Sequence, residues 1–314
     1  NYIEINSAYE FLEEIYDKKM QYLNAGERSF VQFFRGQSIS KWGFTPSIFR
    51  NSLTKYEKNI VQEYIIKRPN EFKEVANIFN LIAKMQHYGL TTRLIDMTEN
   101  PAVALYFASN ENFEEDGEIF IFNSYKEEIL KPKILDIIMK FYLYEMDNLG
   151  KYELLEYHNK YLKGLKKEDL VKIIVFLLSN RPMVAATELI SERMVRQSSV
   201  FLIAPFKTIN MKWKNKNEQI AQEELIKNYI NKDIKKILKE SKLFKEIVDY
   251  KNAIINKHQN NKRYIIKAKN KGKILRQLKT IGICKSYLFP ELEYEGKDIV
   301  DEYLYLTQND FIGE

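Results

Sequence analysis

Three stretches of the sequence carry side chains that could do chemistry, and the first is centred on Arg35. The run Val31-Gln32-Phe33-Phe34-Arg35 predicts a strand, and Gly36 closes it directly after the arginine. Because a glycine lets a ligand or another backbone approach closely, the planar guanidinium beside it could receive a phosphate or a carboxylate. The alternative is an internal ion pair that holds strand ends together, since buried arginines are usually paired.

The second stretch, residues 86–98, has more polar side chains than a connection between a helix and a core strand needs for packing. They are Gln86, His87, Tyr88, Thr91, Thr92, Arg93, Asp96 and Thr98. Asn100-Pro101 then predicts the start of a buried helix, with an asparagine cap and a proline in the first turn. The unpaired amide groups of such a helix start form a natural anion site close to Thr98.

Two purely structural interpretations of this second stretch stay open. Asp96 could pair with Arg93 or with Arg35, which would neutralise both charges inside the protein. His87 stands at a predicted helix end, where the negative pole of the backbone raises its affinity for a proton. It could therefore be a structural histidine.

The third stretch leads into a predicted strand at residues 199–203. It holds Glu188, Glu192, Arg193 and Gln197. Because Arg193 and Gln197 are four residues apart, they would share a face if this segment were helical. Solvent-exposed residues of these types would need no further explanation, so an ordinary surface is the alternative interpretation.

The elements that must position these stretches predict an α+β fold, with a small mixed or antiparallel sheet at its core. Strands are expected at 31–35, 92–95, 118–122, 199–203 and 264–267, and helices at 7–23, 55–87, 101–108 and 218–242. Helical periodicity between 131 and 191 predicts an inserted bundle. The chain is thereby divided into an N-terminal part of the core at 1–130, the insertion at 131–191, and the remainder at 192–314, which has a lysine-rich helix and a helical C-terminal region.

The composition limits the classes of protein and of site. With 314 residues, of which 45% are apolar, the chain can bury one large core or two modest ones. The single cysteine, Cys284, fits a reducing cytoplasm, and the three histidines show no metal-ligand spacing. No apolar run approaches the roughly 20 residues that span a bilayer. We therefore expect a cytoplasmic protein with no bound metal and no membrane association.

The net charge of +6 is unevenly distributed along the chain. The segment Lys207 to Lys279 holds 21 Lys and Arg against 7 Asp and Glu, a local charge of +14. Such a segment could attract nucleic acid. A solvated, lysine-coated helix would explain the same charge equally well.

Taken together, the three stretches resemble the FRG-domain family. The resemblance covers most of the chain and implies a pocket built around Arg35. The matching residues are Phe34-Arg35-Gly36-Gln37, Gln86-His87-Tyr88-Gly89, Thr92-Arg93-Leu94-Ile95-Asp96 with Thr98, Asn100-Pro101, Arg193 with Gln197, and a closing motif at 278–282 and 288–292.

The layout is also similar to the ADP-ribosyltransferase fold, a resemblance that implies NAD as a substrate. In that fold an Arg or His on the first core strand and a Ser or Thr segment on the second hold NAD, while a Glu on a later strand steers transfer. The resemblance thus implies that Arg35 grips the cofactor, that Thr91 and Thr92 flank the nicotinamide ribose, and that Gln197 or Glu192 takes the last role. It further implies cofactor contacts from Gly36, Gln37, His87, Tyr88, Arg93, Asp96, Thr98 and Arg193.

The charge of that last residue decides between an enzyme and a binding module. Cleavage of the nicotinamide bond develops positive charge on the ribose, which a carboxylate in a water-poor pocket stabilises. Glutamine supplies no net charge, so a pocket that holds only Gln197 would bind a nucleotide without turnover. If Glu188 or Glu192 reaches the pocket, catalysis survives.

The leading hypothesis is an NAD-handling enzyme with ADP-ribosyltransferase-like or NAD-cleaving activity. The family resemblance suggests a toxin or anti-phage defence effector that modifies an unidentified macromolecule. The alternative is a non-catalytic sensor that binds a nucleotide at Arg35 and nucleic acid along Lys207 to Lys279. Phosphate-loop, dinucleotide-fold and kinase motifs are absent from the sequence, so ATP hydrolysis has no support.

Overall fold

The computed structural model describes residues 2–28, 30–73, 75, 77–140, 165–166, 169, 173, 182–185, 191–204, 263–290 and 300. The strands in these ranges are β1 (Tyr2–Ile5), β2 (Phe30–Gln37), β3 (Leu94–Thr98), β4 (Gly117–Tyr125), β5 (Met183–Ala185), β6 (Ser199–Ile203) and β7 (Arg263–Ile266). They form a mixed sheet in the order β1-β7-β4-β2-β3-β6-β5, in which β1 and β7 are parallel and the other neighbours are antiparallel. The predicted α+β class is confirmed.

Several helices begin at a capping side chain or at a proline in the first turn. Asn77 accepts a hydrogen bond from the backbone amide of Asn80, and Pro101 occupies the first turn of its helix. Within the described ranges, no helix combines the length and apolar character needed to cross a membrane. The helices are α1 (Ala8–Asn24), α2 (Glu57–Lys67), α3 (Pro69–Phe72), α4 (Ile78–His87), α5 (Pro101–Ser109), α6 (Pro132–Lys140), α7 (Glu192–Arg196), α8 (Lys271–Thr280) and α9 (Lys285–Leu288).

Two groups of helices cover the same face of the sheet, one over each half. Helices α1, α5 and α8 share an apolar core with β2, β4 and β7, while α4 and α6 share one with β3, β5 and β6. Phe34 of β2 contacts the first group and Leu94 of β3 the second. Phe34 pairs with Thr98, and side chains alternate along a strand, so Leu94 and Phe34 point to one face. The boundary between the two groups therefore follows the line where β2 meets β3.

The centre of the sheet is incompletely paired along that line. Strand β2 pairs with β4 over its whole length, from Phe30 to Gln37, and β3 likewise pairs with β6. By contrast, the pairing of β2 with β3 consists of Phe34 and Thr98. The sheet opens beyond this pair, on the side toward Arg35 and Asp96.

Gly36 allows α5 to approach the central strand closely. A Cβ atom at this position would lie 1.7 Å from the carbonyl oxygen of Ala104 and 2.7 Å from the amide nitrogen of Ala108, both in α5. These are backbone atoms, so they cannot swing aside as the end of a side chain can. The strand predicted to close at Gly36 in fact continues through it to Gln37.

Arg93, which directly precedes β3, is neutralised inside the core. Its side chain is 2% exposed and forms a bidentate ion pair with Glu57 of α2. Arg93 Nε donates to Glu57 Oε1 at 2.9 Å, and Arg93 Nη2 donates to Glu57 Oε2. Nη1 also donates to the carbonyl oxygen of Ala204 at 3.4 Å. The sequence left Arg93 and Arg35 open as ion-pair partners of Asp96. Because Arg93 pairs with Glu57, it is excluded as that partner.

The sequence does not predict β1 or β5. Strand β5 lies within 131–191, the range predicted as a helical insertion, and pairs with β6 in the sheet. Three residues, Met183–Ala185, are too few to show the alternation that marks a strand. Helix α6 begins this range as predicted, whereas residues 141–164 and the predicted helix at 218–242 lie outside the described residues.

Part of the lysine-rich segment serves the fold itself. Lys271 is fully buried, and its Nζ donates to the carbonyl oxygens of Ser38, Glu111 and Asn112 at 2.7–2.9 Å. Burial lowers the pKa of Lys271, because desolvation disfavours its charged form. This side chain ties α8 to the segments that follow β2 and α5, and so it does not face a polyanion. Residues 205–262 lie outside the described ranges.

Substitution Gly36→Ala is expected to lower the free energy of unfolding by about 3 kcal/mol, because the added methyl group collides with the backbone of α5. The thermal midpoint measured by circular dichroism should fall by roughly 5–10 °C. Gly272→Ala is the matched control, since the nearest atom to its added Cβ is Arg276 Nη1 at 3.6 Å. It should leave the midpoint unchanged or slightly higher. Equal losses in both variants would contradict the close approach of α5 and β2.

Substitution Glu57→Gln should destabilise the protein by about 3–5 kcal/mol, because it leaves the Arg93 guanidinium buried without its counter-charge. Urea denaturation at neutral pH measures the change. Glu63→Gln, on the same helix, removes an exposed pair with Lys67 and should leave the denaturation midpoint unchanged. A Glu57→Gln protein as stable as the Glu63→Gln protein would show that the buried pair is not needed for folding.

Candidate functional site

A cavity of about 280 Å³ lies where the sheet opens between β2 and β3. Helices α4, α5 and α7 provide its other walls. Its polar lining consists of Arg35, Gln86, His87, Asp96, Thr98, Arg193, Gln197 and Ser199. Its remaining lining consists of Phe34, Gly36, Ala83, Met97, Val103, Phe107, Met194 and Phe201.

Arg35 extends across the gap between the two strands. Its Nη1 donates to the backbone carbonyl oxygen of Asp96 at 2.7 Å, and the same nitrogen lies 3.9 Å from Asp96 Oδ2. The Arg35 side chain is 28% exposed and lines the cavity. The arginine is thus oriented by β3, and its contact with the Asp96 carboxylate is at the outer limit of an ion pair.

The Asp96 carboxylate is oriented by a short chain of hydrogen bonds from α4. Gln86 Nε2 donates to Asp96 Oδ1 at 2.6 Å, and Gln86 Oε1 accepts from the hydroxyl group of Thr92. The backbone amide of Thr92 in turn donates to Ser47 Oγ at 3.1 Å. Asp96 is the one carboxylate among the lining residues. Its side chain remains 67% exposed and can meet a ligand.

Helix α7 forms the opposite wall and is tied to β3. Thr98 Oγ1 donates to the carbonyl oxygen of Gln197 at 2.6 Å and accepts from the amide of Asn100 at 3.0 Å. The Asn100 side chain accepts from the amide of Ala102 at 2.9 Å, which caps α5. One threonine therefore links the end of β3, the start of α5 and the end of α7 around the cavity.

The charges on the lining favour an anionic ligand. The lining carries two guanidinium groups, those of Arg35 and Arg193, and one carboxylate, that of Asp96, while its other polar groups are amides, hydroxyls and an imidazole. Two planar guanidinium groups suit phosphate or carboxylate oxygens. The cavity can therefore bind an anion and present one negative charge to another part of the same molecule.

The cavity brings together part of the predicted site. The predicted residues that line it are Arg35, Gly36, His87, Asp96, Thr98, Arg193 and Gln197. Those that are not among the lining residues are Gln37, Tyr88, Thr91, Thr92, Arg93 and Glu192. Glu188 lies outside the described residues.

Local structure explains why some predicted residues do not line the cavity. Thr92 is buried, and its hydroxyl group orients Gln86 rather than a ligand. Glu192 is 64% exposed in the first turn of α7 and pairs with Arg196 one turn later. Tyr88 follows the last residue of α4 and is exposed. The segment before β3 therefore supports the site without lining it.

Gln86 lines the cavity, and although it belongs to the second polar stretch it is absent from the residues that the resemblance assigned to the cofactor. It begins the Gln86-His87-Tyr88-Gly89 run and stands one residue before the predicted His87. The signal that could have identified it is helical spacing, because Ala83 and Gln86 lie three residues apart on the wall that α4 presents to the cavity. Phe107 of α5 carried no chemical signal, since apolar residues occur all round that helix.

Comparison with known proteins identifies one part of the chain. No curated protein sequence and no solved structure matches the chain. Residues 31–117 match the family model of the FRG domain. This range includes all but the first residue of β2, together with α4, β3 and α5, which supply most of the cavity, whereas α7 lies beyond it. Residues 31–117 are thus similar to the FRG domain, and Arg35, which lies within this range, lines the cavity.

Proposed function

We propose that this FRG-domain protein binds NAD in the cavity and cleaves its nicotinamide bond, either to water or to a macromolecular acceptor. The observation that carries the proposal is the meeting of Arg35, Arg193 and Asp96 around a single cavity. Two cationic groups suit the diphosphate of the dinucleotide, and the carboxylate suits the charge that develops on the ribose. This is the activity that the resemblance to ADP-ribosyltransferases implies.

The size of the cavity suits one half of a dinucleotide. Its volume of about 280 Å³ is just below the range of roughly 300–1,000 Å³ that encloses drug-sized ligands. We place the nicotinamide ribose and its phosphate inside, with the adenosine half extending to the mouth. Phe107 and Val103 of α5 provide an apolar wall for the nicotinamide ring.

The proposed reaction needs little covalent chemistry from the protein. The bond between the ribose C1′ and the nicotinamide nitrogen breaks, and its electron pair leaves with nicotinamide. Positive charge develops on C1′ and the ring oxygen until an acceptor oxygen or nitrogen bonds to C1′ and releases its proton. Asp96 stabilises that charge, because its carboxylate carries a net negative charge next to the cation, although the side chain is 67% exposed. Gln86 keeps the carboxylate in place.

Asp96 takes the role that the sequence assigned to Glu192 or Gln197. Glu192 is not among the lining residues, and Gln197 reaches the cavity as a neutral amide. Because the Asp96 carboxylate is on β3 rather than on the later strand, this arrangement departs from the pattern that the resemblance implied. The proposal therefore rests on the position of Asp96 and not on that pattern.

A second candidate function is a sensor that binds a nucleotide without turnover. The presence of Gln197 rather than a glutamate on the late wall favours it, since an amide cannot stabilise a developing cation through net charge. Calorimetry would then detect NAD binding by the wild-type protein while nicotinamide release stays at the level of the buffer. Nucleic-acid binding through Lys207 to Lys279 and a role as a toxin or in anti-phage defence remain predictions.

Substitution Asp96→Asn should lower kcat for nicotinamide release about 100-fold or more, because it removes the charge that stabilises the ribose cation. Chromatographic detection of nicotinamide after incubation with NAD measures the rate. Glu192→Gln makes the same chemical change on an exposed carboxylate outside the cavity and should leave kcat unchanged. If Glu192→Gln lost activity and Asp96→Asn kept it, the roles proposed for the two carboxylates would be reversed.

Substitution Arg35→Ala should abolish nicotinamide release while the protein stays folded, because the guanidinium that faces the ligand and holds the Asp96 backbone is lost. Circular dichroism reports the fold alongside the activity assay. Arg35→Lys keeps the charge but loses the planar fork, so it should retain only part of the activity. A fully active and folded Arg35→Ala protein would remove Arg35 from the site.

A further inference from the structure

Arg193 differs from Arg35 in how its guanidinium is held. Its Cζ lies 4.4 Å from the centroid of the Phe289 ring, so the charged group stacks against an aromatic face. Within the described part of the chain, its N–H groups have no carboxylate or carbonyl acceptor. A cation–π contact needs no hydrogen-bond acceptor, so it does not pair the guanidinium N–H groups with an oxygen. The edge of Arg193 therefore remains able to bind an anion.

The Phe289 ring is also held in place by the wall of the cavity that α5 forms. It packs edge-to-face against Phe107 of α5, with ring centroids 6.0 Å apart. Phe107 also lines the cavity. Phe289 thus connects the wall formed by α5 to the guanidinium of Arg193 on the opposite wall.

The segment before Phe289 fastens the other polar side chains at the end of α7. Gln197 Nε2 donates to the carbonyl oxygen of Leu288 at 3.1 Å, and Arg196 Nη1 donates to that of Tyr287 at 3.2 Å. Consecutive carbonyl groups of α9 therefore hold α7 in one position relative to the cavity. These residues all lie outside the FRG-domain match at 31–117.

We propose that Arg193, stacked on Phe289, forms a phosphate-binding position in the cavity, and that Phe289 is its positioning residue. The inference deepens the proposed function, on which it rests for the identity of the nucleotide, by naming the group that receives the diphosphate. It also makes α7 and α9 necessary parts of the ligand site. An FRG domain limited to residues 31–117 lacks this position.

The test is calorimetric titration of the full chain with inorganic pyrophosphate at fixed ionic strength. Phe289→Leu should weaken binding by about three- to thirtyfold, the effect of losing a partly desolvated cation–π contact. Phe289→Tyr keeps the ring and should restore binding. Tyr287→Leu is the matched control, because Tyr287 stacks on Arg196 at 5.8 Å in the same segment and Arg196 does not line the cavity. It should bind pyrophosphate as the wild type does.

A double-mutant cycle separates positioning from a general loss of packing. If Phe289 acts through Arg193, then Arg193→Ala with Phe289→Leu should bind no more weakly than Arg193→Ala alone. Additive losses in the double variant, or equal losses in Phe289→Leu and Tyr287→Leu, would overturn the inference. So would a wild-type protein that does not bind pyrophosphate.

The same titrations distinguish this inference from the proposed function. Dependence of pyrophosphate binding on Phe289, without nicotinamide release from NAD, would support the phosphate position and reject the enzymatic proposal. Normal nicotinamide release together with identical pyrophosphate binding in the wild type and Phe289→Leu would keep the enzymatic proposal and reject the phosphate position.

Discussion

The structure of the site depends on one hydrogen bond at the centre of the sheet, in which a side chain takes the place of a backbone donor. Beyond the pair of Phe34 and Thr98, β2 and β3 separate, and the carbonyl oxygen of Asp96 would lose the partner that a continued ladder provides. Arg35 supplies that partner through Nη1 at 2.7 Å. Because the Arg35 side chain replaces a backbone amide as the donor, the Asp96 carbonyl oxygen keeps a hydrogen bond although the strands stay apart. The space between them is the cavity.

The rest of the fold keeps this gap open and lines it with chemically useful groups. Gly36 brings α5 against β2 on one side, and the buried pair of Arg93 and Glu57 anchors the segment before β3 on the other. Thr98 links β3 to α5 and α7 at the closed end. The residues that would contact a ligand are therefore held by rigid elements, which is what binding of a defined geometry requires.

Sequence patterns located the elements of the site better than the contacts within it. Arg35, His87 and Asp96 could be predicted because each is a polar residue at, or directly after, the end of a predicted strand or helix. The resemblance assigned Thr92 and Arg93 to the ligand, on a strand expected at 92–95, whereas that strand begins at Leu94. Their partners, Ser47 and Glu57, are distant in the sequence, and no local periodicity links them. The contact between Arg193 and Phe289 likewise joins residues that are distant in the sequence.

A crystal structure of the protein with bound ADP-ribose tests the central claim most directly, because it reports position rather than rate. We predict a diphosphate oxygen about 3 Å from the guanidinium of Arg193, with the ribose that would carry nicotinamide turned toward Asp96 between β2 and β3. Binding of ADP-ribose at another surface, with this cavity filled by solvent, would contradict the account.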